Sequence, residues 1–238
     1  MLLRRFTQHV KEQNWFAVGL DVLVVIVGIF VGLQVADWKD EINKRVEERA
    51  YLERLQKDVS LTIELLSKEL ETGTNAVEQT FFTIEALFVK KLADKDVERF
   101  HLGLASVREW PEIRIIDSTL REMQSTGKLE LIKSRELKMA IGEFEELYRH
   151  AIKENQRTEQ VLIPNFILVY QHVNYEPSPW AKIPLYTFDE LLEIEMFYSN
   201  LYSINGARKR FLHRIERTLL AAHKFQQKLD SELQSRNN

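Results

Sequence analysis

The sequence predicts an all-α protein, with one N-terminal transmembrane helix continuing into a long helix and an up-and-down helical bundle. Three observations lead there. Phe16 to Ala36 is a 21-residue apolar stretch around the unbroken run Val22 to Leu33. From Asp37 to Thr72 the chain holds neither Pro nor Gly. Beyond it, apolar residues recur at three- and four-residue steps, the spacing that lines one face of a helix.

Residues 1–15 form a short basic tail carrying Arg4, Arg5 and Lys11. The apolar stretch, residues 16–36, is about 32 Å long as a helix at 1.5 Å per residue, matching a hydrocarbon core of about 30 Å. Trp15 and Trp38 bracket it as interface anchors, because an indole ring has an apolar body and a hydrogen-bonding edge. A cleaved signal peptide fits less well, since the apolar part is too long and no small-residue cleavage site precedes Trp38.

Inside the span, Asp21, Gly28 and Gly32 share one face, with Ala17 and Ala36 beside them. Gly28 and Gly32 make a GxxxG step that Ala36 extends, and small residues let two helix backbones approach closely in lipid. Self-association through this face is therefore expected. Asp21 lies about 9 Å below the Trp15 level, where a carboxylate is costly unless it is protonated, paired or facing a wet interior.

Residues 37–50 read as a helical stalk whose apolar positions are Ile42 and Val46, and residues 51–238 as the bundle. Leu52, Leu55, Val59, Ile63, Leu66 and Leu70 form its first stripe. Gly73 then suggests a break, with a second helix from Thr74 to Leu92 carrying Val77, Phe81, Ile84, Leu87 and Phe88. Asp94 is placed to cap a third helix that Pro111 ends. Ile113 to Ile116 is β-branched and extended. Ser118 to Ser125 is a short helix stopped at Gly127, and Ser134 opens a longer one with Leu137, Ile141, Phe144, Tyr148 and Ala151. Val161 to Tyr170 is too short for a second span and is interrupted by Pro164, so it reads as a buried core helix. Asn174 to Thr187 holds three of the five prolines and is a loop, with Tyr175, Trp180 and Tyr186 as candidate binding residues. A helix to about Ile204 and another from Ala207 to Ser235 close the chain, and the long first and last helices are expected to pack together.

The stretch GLDVLVVIVGIFVGLQVADW, followed by a charged helix and YLERLQKDV, resembles the opening of a family of uncharacterised single-pass bacterial membrane proteins. Asp21, Gly28, Leu33, Gln34, Trp38, Tyr51 and Leu52 carry the likeness, which covers about residues 15–66 with a weaker echo in Ser118 to Ser134. It implies membrane topology, and nothing catalytic comes with it. LDVLVVIVGIF is also similar to single-pass subunits of proton-driven motors of the TolR and ExbD type, whose aspartate relays protons. A small α/β domain follows in those proteins, whereas this chain continues as helix.

Composition excludes several function classes. With 33 Lys and Arg against 36 Asp and Glu, the net charge of -3 is not that of a nucleic-acid binder. Zero cysteine rules out disulfides, thiolate metal sites and cysteine nucleophiles. The six histidines are scattered, and the one Glu-x-x-His step, Glu98 to His101, lacks the second copy a di-iron bundle needs, since Glu146 and His150 are one residue too far apart. Phosphate-cradling glycine loops and the GxSxG elbow are absent. Runs such as Arg208, Lys209, Arg210 read as solvated helix faces.

The expectation is thus a non-enzymatic single-pass protein of the bacterial inner membrane that uses no cofactor and no metal. Its N-terminus is cytoplasmic and its C-terminal domain periplasmic. Residues 37–57 carry six Lys and Arg against three in residues 1–15, which favours the opposite sense, but long domains translocate largely regardless of charge. The bundle would bind or scaffold partners: the lipid bilayer, further copies of itself, and other membrane or envelope proteins. Its alternatives are a proton-coupled channel or motor accessory subunit using Asp21, and a membrane-tethered cytoplasmic adaptor. With only about 15 residues before the span, a sensor with its own output domain is not expected.

Overall fold

The computed structural model describes residues 15–176 and 184–235, without the side chains of residues 15–19 and 21. Among these residues the protein is all-α, with six helices and no strand. They are α1 (Trp15–Val89), α2 (Val97–Ser106), α3 (Ser118–Ser125), α4 (Arg135–His172), α5 (Phe188–Leu192) and α6 (Phe197–Ser235). The chain divides into two compact units, Met1–Tyr51 and Leu52–Asn238.

In the first unit the apolar stretch of α1 is bare, whereas Glu48 near the end of that unit is buried. The large apolar side chains from Leu20 to Val35 are each 50% to 62% exposed, and this stretch is long and apolar enough to cross a membrane. Apart from adjacent residues and the helix's own backbone, no described atom lies within 4 Å of where a Cβ would stand on Gly28 or Gly32. Ile42 and Val46 of the stalk are exposed as well.

In the second unit the chain makes four antiparallel passes. The first is the rest of α1, which runs through Gly73 instead of ending there. Gly73 serves close packing: a Cβ on it would collide with the Leu212 side chain of α6. The second pass is broken into α2, an extended piece over 107–117, and α3. It runs back along α1, with Phe100 opposite Thr83, Ser106 opposite Thr80, Ile116 opposite Thr62 and Ser118 opposite Asp58.

The extended piece pairs with no strand. Pro111 and the β-branched Ile113, Ile115 and Ile116 disfavour helix, and side chains of α1 take the place of a ladder. Glu69 accepts from the Glu112 amide at 3.0 Å, Thr62 from that of Ile116 at 3.0 Å and Asp58 from that of Thr119 at 3.1 Å. Hence Thr62, and not the Ile63 of the expected stripe, is the fully buried residue of that turn.

Gly127 (φ 72°) supplies the left-handed turn that ends the second pass. Ser134 then caps α4 by accepting from the Leu137 amide at 3.2 Å. This third pass continues through Pro164 to His172. Its Val161 to Tyr170 segment is not wholly buried as expected: Leu162 and Val169 face the core, while Val161, Ile163 and Ile167 are exposed. An alternation of this kind covers one side of a bundle with one side of a helix.

The fourth pass, α6, begins after α5, whose capping box joins Thr187 and Glu190. The break falls at Met196 (φ 63°) and not between Ile204 and Ala207, because Asn205 and Arg208 are buried mid-helix facing α1. The expected packing of the first long helix on the last is present. Gln56 donates to Asp230 at 2.6 Å, Gln226 to Ser60 at 2.9 Å, Arg208 to the Ala76 carbonyl at 3.4 Å and Asn205 to that of Val77 at 3.1 Å, so the two run antiparallel. Lys224 to Glu143 (3.2 Å) and Asn165 to Asn200 (2.7 Å) fix α4 on α6 in the same sense.

Part of the core between the passes gathers into two clusters. One gathers Phe100, Leu104, Val107, Val169, Phe197 and Leu201, and the other Leu66, Ala151, Phe211 and Ile215. Leu52, Leu55, Met123, Leu137, Phe144 and Phe225 are buried toward the other end of the bundle.

Candidate functional site

The C-terminal turns of α1 and the N-terminal turns of α6 carry more aromatic side chains than the core can accept. Ile84 and Leu87 are buried, but Phe81 and Phe88, expected on the same inward stripe, are 53% and 67% exposed. Val77 is half-buried. On α6, Tyr198 and Tyr202 stand one turn apart and face outward beside them, with Tyr202 63% exposed. Phe88 and Tyr198 meet edge to face with ring centroids 5.9 Å apart.

Between the two helices runs an open trough. Its first part, about 680 Å³, is lined by Val77, Phe81, Phe82 and Tyr202, and the second, about 590 Å³, by Ile84, Phe88 and Tyr198. The two parts share Phe81, Glu85 and Tyr202. Four charged residues edge the first part: Glu78 and Glu85 on α1, Lys209 on α6 and Arg99 on α2. Arg99 lies over the Phe82 ring, 4.0 Å from its centroid. None of the four makes an ion pair among the described residues.

Asn205 lies at the floor and is 6% exposed. Its Nδ2 donates to the Val77 carbonyl, while its Oδ1 has no partner among the described residues. A buried acceptor without a donor costs about 1–3 kcal/mol. The trough thus offers aromatic area and charges of both signs. It holds no nucleophile with a base. No cluster of three or more His, Asp or Glu side chains able to hold a metal occurs among the described residues.

Tyr175 and Tyr186 are held elsewhere, on α2. Leu185 donates its amide to the Asn174 carbonyl at 2.9 Å, and Tyr175 and Pro184 form an isolated bridge. Tyr186 is buried with its hydroxyl 3.0 Å from His101 Nδ1, and it donates to the Tyr175 hydroxyl at 3.4 Å. Burial, then the Tyr175 hydroxyl, pushes the Tyr186 phenol well above its ordinary range, and burial lowers the His101 imidazole. Arg108 donates to the Val173 carbonyl at 3.1 Å and lies over the Tyr175 ring. These contacts pin the segment to its own bundle. Trp180 lies outside the described residues, as do the side chains of Trp15, Ala17 and Asp21. Ala36 and Trp38 are exposed on α1.

Arg208 is the residue the sequence concealed most completely. Read as part of a solvated basic run, it is 0% exposed. Its Nη2 donates to the Ser106 and Val107 carbonyls at 2.9 and 3.1 Å, and its Nη1 to Thr80 Oγ1 at 3.1 Å. A cation there completes the C-terminal end of α2, where carbonyls lack helical donors. Burial pushes its pKa down to about 10, so the guanidinium stays charged at neutral pH. Lys209 and Arg210 beside it are exposed, and nothing in a three-residue basic run marks which member turns inward.

No family model matches the chain, and neither a curated protein nor a solved structure is detectably similar to it.

Proposed function

We propose that the protein is a single-pass bacterial inner-membrane protein whose helical bundle is a non-enzymatic binding or scaffolding module, assembled as a homo-oligomer. One observation carries the reading. From Leu20 to Val35 the large apolar side chains of α1 are at least half exposed, and no described part of the chain covers them. At about 25 cal/mol per Å² of apolar surface, so long a bare stretch demands an apolar surrounding, and its length suits a bilayer. Trp38 at its end fits an interfacial anchor. The open faces of Gly28 and Gly32 leave room for a second helix.

The bacterial setting rests on the resemblance read in residues 15–66 of the sequence alone. The basic tail followed at once by the apolar run supports a signal anchor, with the N-terminus in the cytoplasm and the bundle in the periplasm. Proton relay by Asp21 draws less support, because the chain lacks the α/β domain of the motor subunits among its described residues.

A reporter fused after Asn238, active only outside the cytoplasm, paired with one active only inside, tests the topology. Activity of the first is expected. Activity of the second in chain that resists alkaline extraction from membranes would replace the periplasmic module by a cytoplasmic adaptor. Complete alkaline extraction would refute anchoring itself.

A further inference from the structure

We infer that the aromatic trough between α1 and α6 is where a second copy of this chain docks, the two copies lying parallel about a two-fold axis that runs along the trough. Phe81, Phe88, Tyr198 and Tyr202 leave on the order of 450 Å² of ring surface uncovered, at about 200 Å² per ring. That is more than half of the roughly 800 Å² each partner contributes to a stable interface, and it is as large as the largest patch of an ordinary monomer. Exposed Val89 and Met196 extend it. The trough lies open along its length, whereas a small-molecule site encloses most of its ligand.

The register of the two walls selects the occupant. Asn205 is level with Val77, so with α6 antiparallel to α1, Tyr202 is level with Phe81, and Lys209 is within about 8 Å of the level of Glu78. An axis along the trough keeps every level and exchanges the walls. It therefore sets Tyr202 of each copy against Phe81 of the other, and Lys209 against Glu78, pairing charges that have no ion-pair partner among the described residues of their own chain. The parallel sense rests on the anchoring proposed above.

The chain has no cysteine, so the test is clean. Full-length Phe81→Cys and Tyr202→Cys proteins, each with its own tag, are co-expressed and oxidised in native membranes. A disulfide joining the two tags is expected, and none from exposed Met139→Cys paired with either. Lys209→Glu and Glu78→Lys, both at exposed positions, should each lower cross-linking about tenfold, and the two combined should restore it to within about twofold. Absence of the disulfide, reversals without effect, or a combination without rescue would overturn the interface. Alkaline extraction of the same membranes reads the anchoring separately. Failure to cross-link in extraction-resistant chain condemns the interface alone, and extractable chain that still cross-links with charge rescue condemns the anchor alone.

Discussion

Replacing Arg208 by Met tests whether a buried cation holds the broken second pass against α1. The substitution nearly keeps the volume but removes all four donations of the guanidinium. The Val107 carbonyl then has no donor among the described residues, at a cost of about 1–3 kcal/mol. The Ser106 carbonyl keeps the Glu109 amide at 3.0 Å and loses a charge-assisted bond of about 1.5–3 kcal/mol. Thr80 keeps the Ser106 hydroxyl at 3.0 Å, so little is lost there. Against these stands relief from burying a charge with no carboxylate in contact, which offsets part of the loss. The net expectation is a loss of about 2–4 kcal/mol, or a melting temperature lower by roughly 6–12 °C at this size. Circular dichroism of the full chain in detergent micelles reads it, and hydrogen exchange should show the added opening in residues 97–117 first. Arg208→Lys should fall between the two, since one ammonium cannot serve both sides. An Arg208→Met melting temperature equal to or above the parent's would refute the reasoning, because desolvation of the cation would then outweigh its hydrogen bonds.

Gly103→Ala should cost about 1–3 kcal/mol, since the new methyl would overlap Thr83 Oγ1 and the Gln79 carbonyl, and the latter is backbone that cannot turn aside; denaturant midpoints measure it. Burial holds the His101 pKa below its ordinary 6.5, so the unfolded chain takes the proton first as pH falls. Stability is therefore full above about pH 6.5 and declines as pH drops toward the lowered folded value; melting curves from about pH 7.5 to 5 should show this, and His101→Gln should flatten it. Gly28→Leu with Gly32→Leu should weaken helix association in a membrane dimerisation reporter several-fold while leaving membrane retention intact, and an unchanged signal would remove that face from the assembly.

The sequence determined what depends on local pattern. Its long apolar run and its stripes at helical spacing specify helices whatever surrounds them, and Ser134 and Gly127 mark a start and a stop by their own backbone preferences. Tertiary structure decided what depends on a neighbour. Gly73 reads as a break until Leu212 is seen against it, and Thr62 reads as a surface residue until the Ile116 amide is seen upon it. Arg208 looks like its neighbours until α2 ends over it. The trough was not legible: Val77, Phe81, Ile84, Leu87 and Phe88 read as one inward stripe, yet two of them face outward. Only the packing of α6 showed that these were Phe81 and Phe88, because a helix surface is inside or outside according to what lies against it.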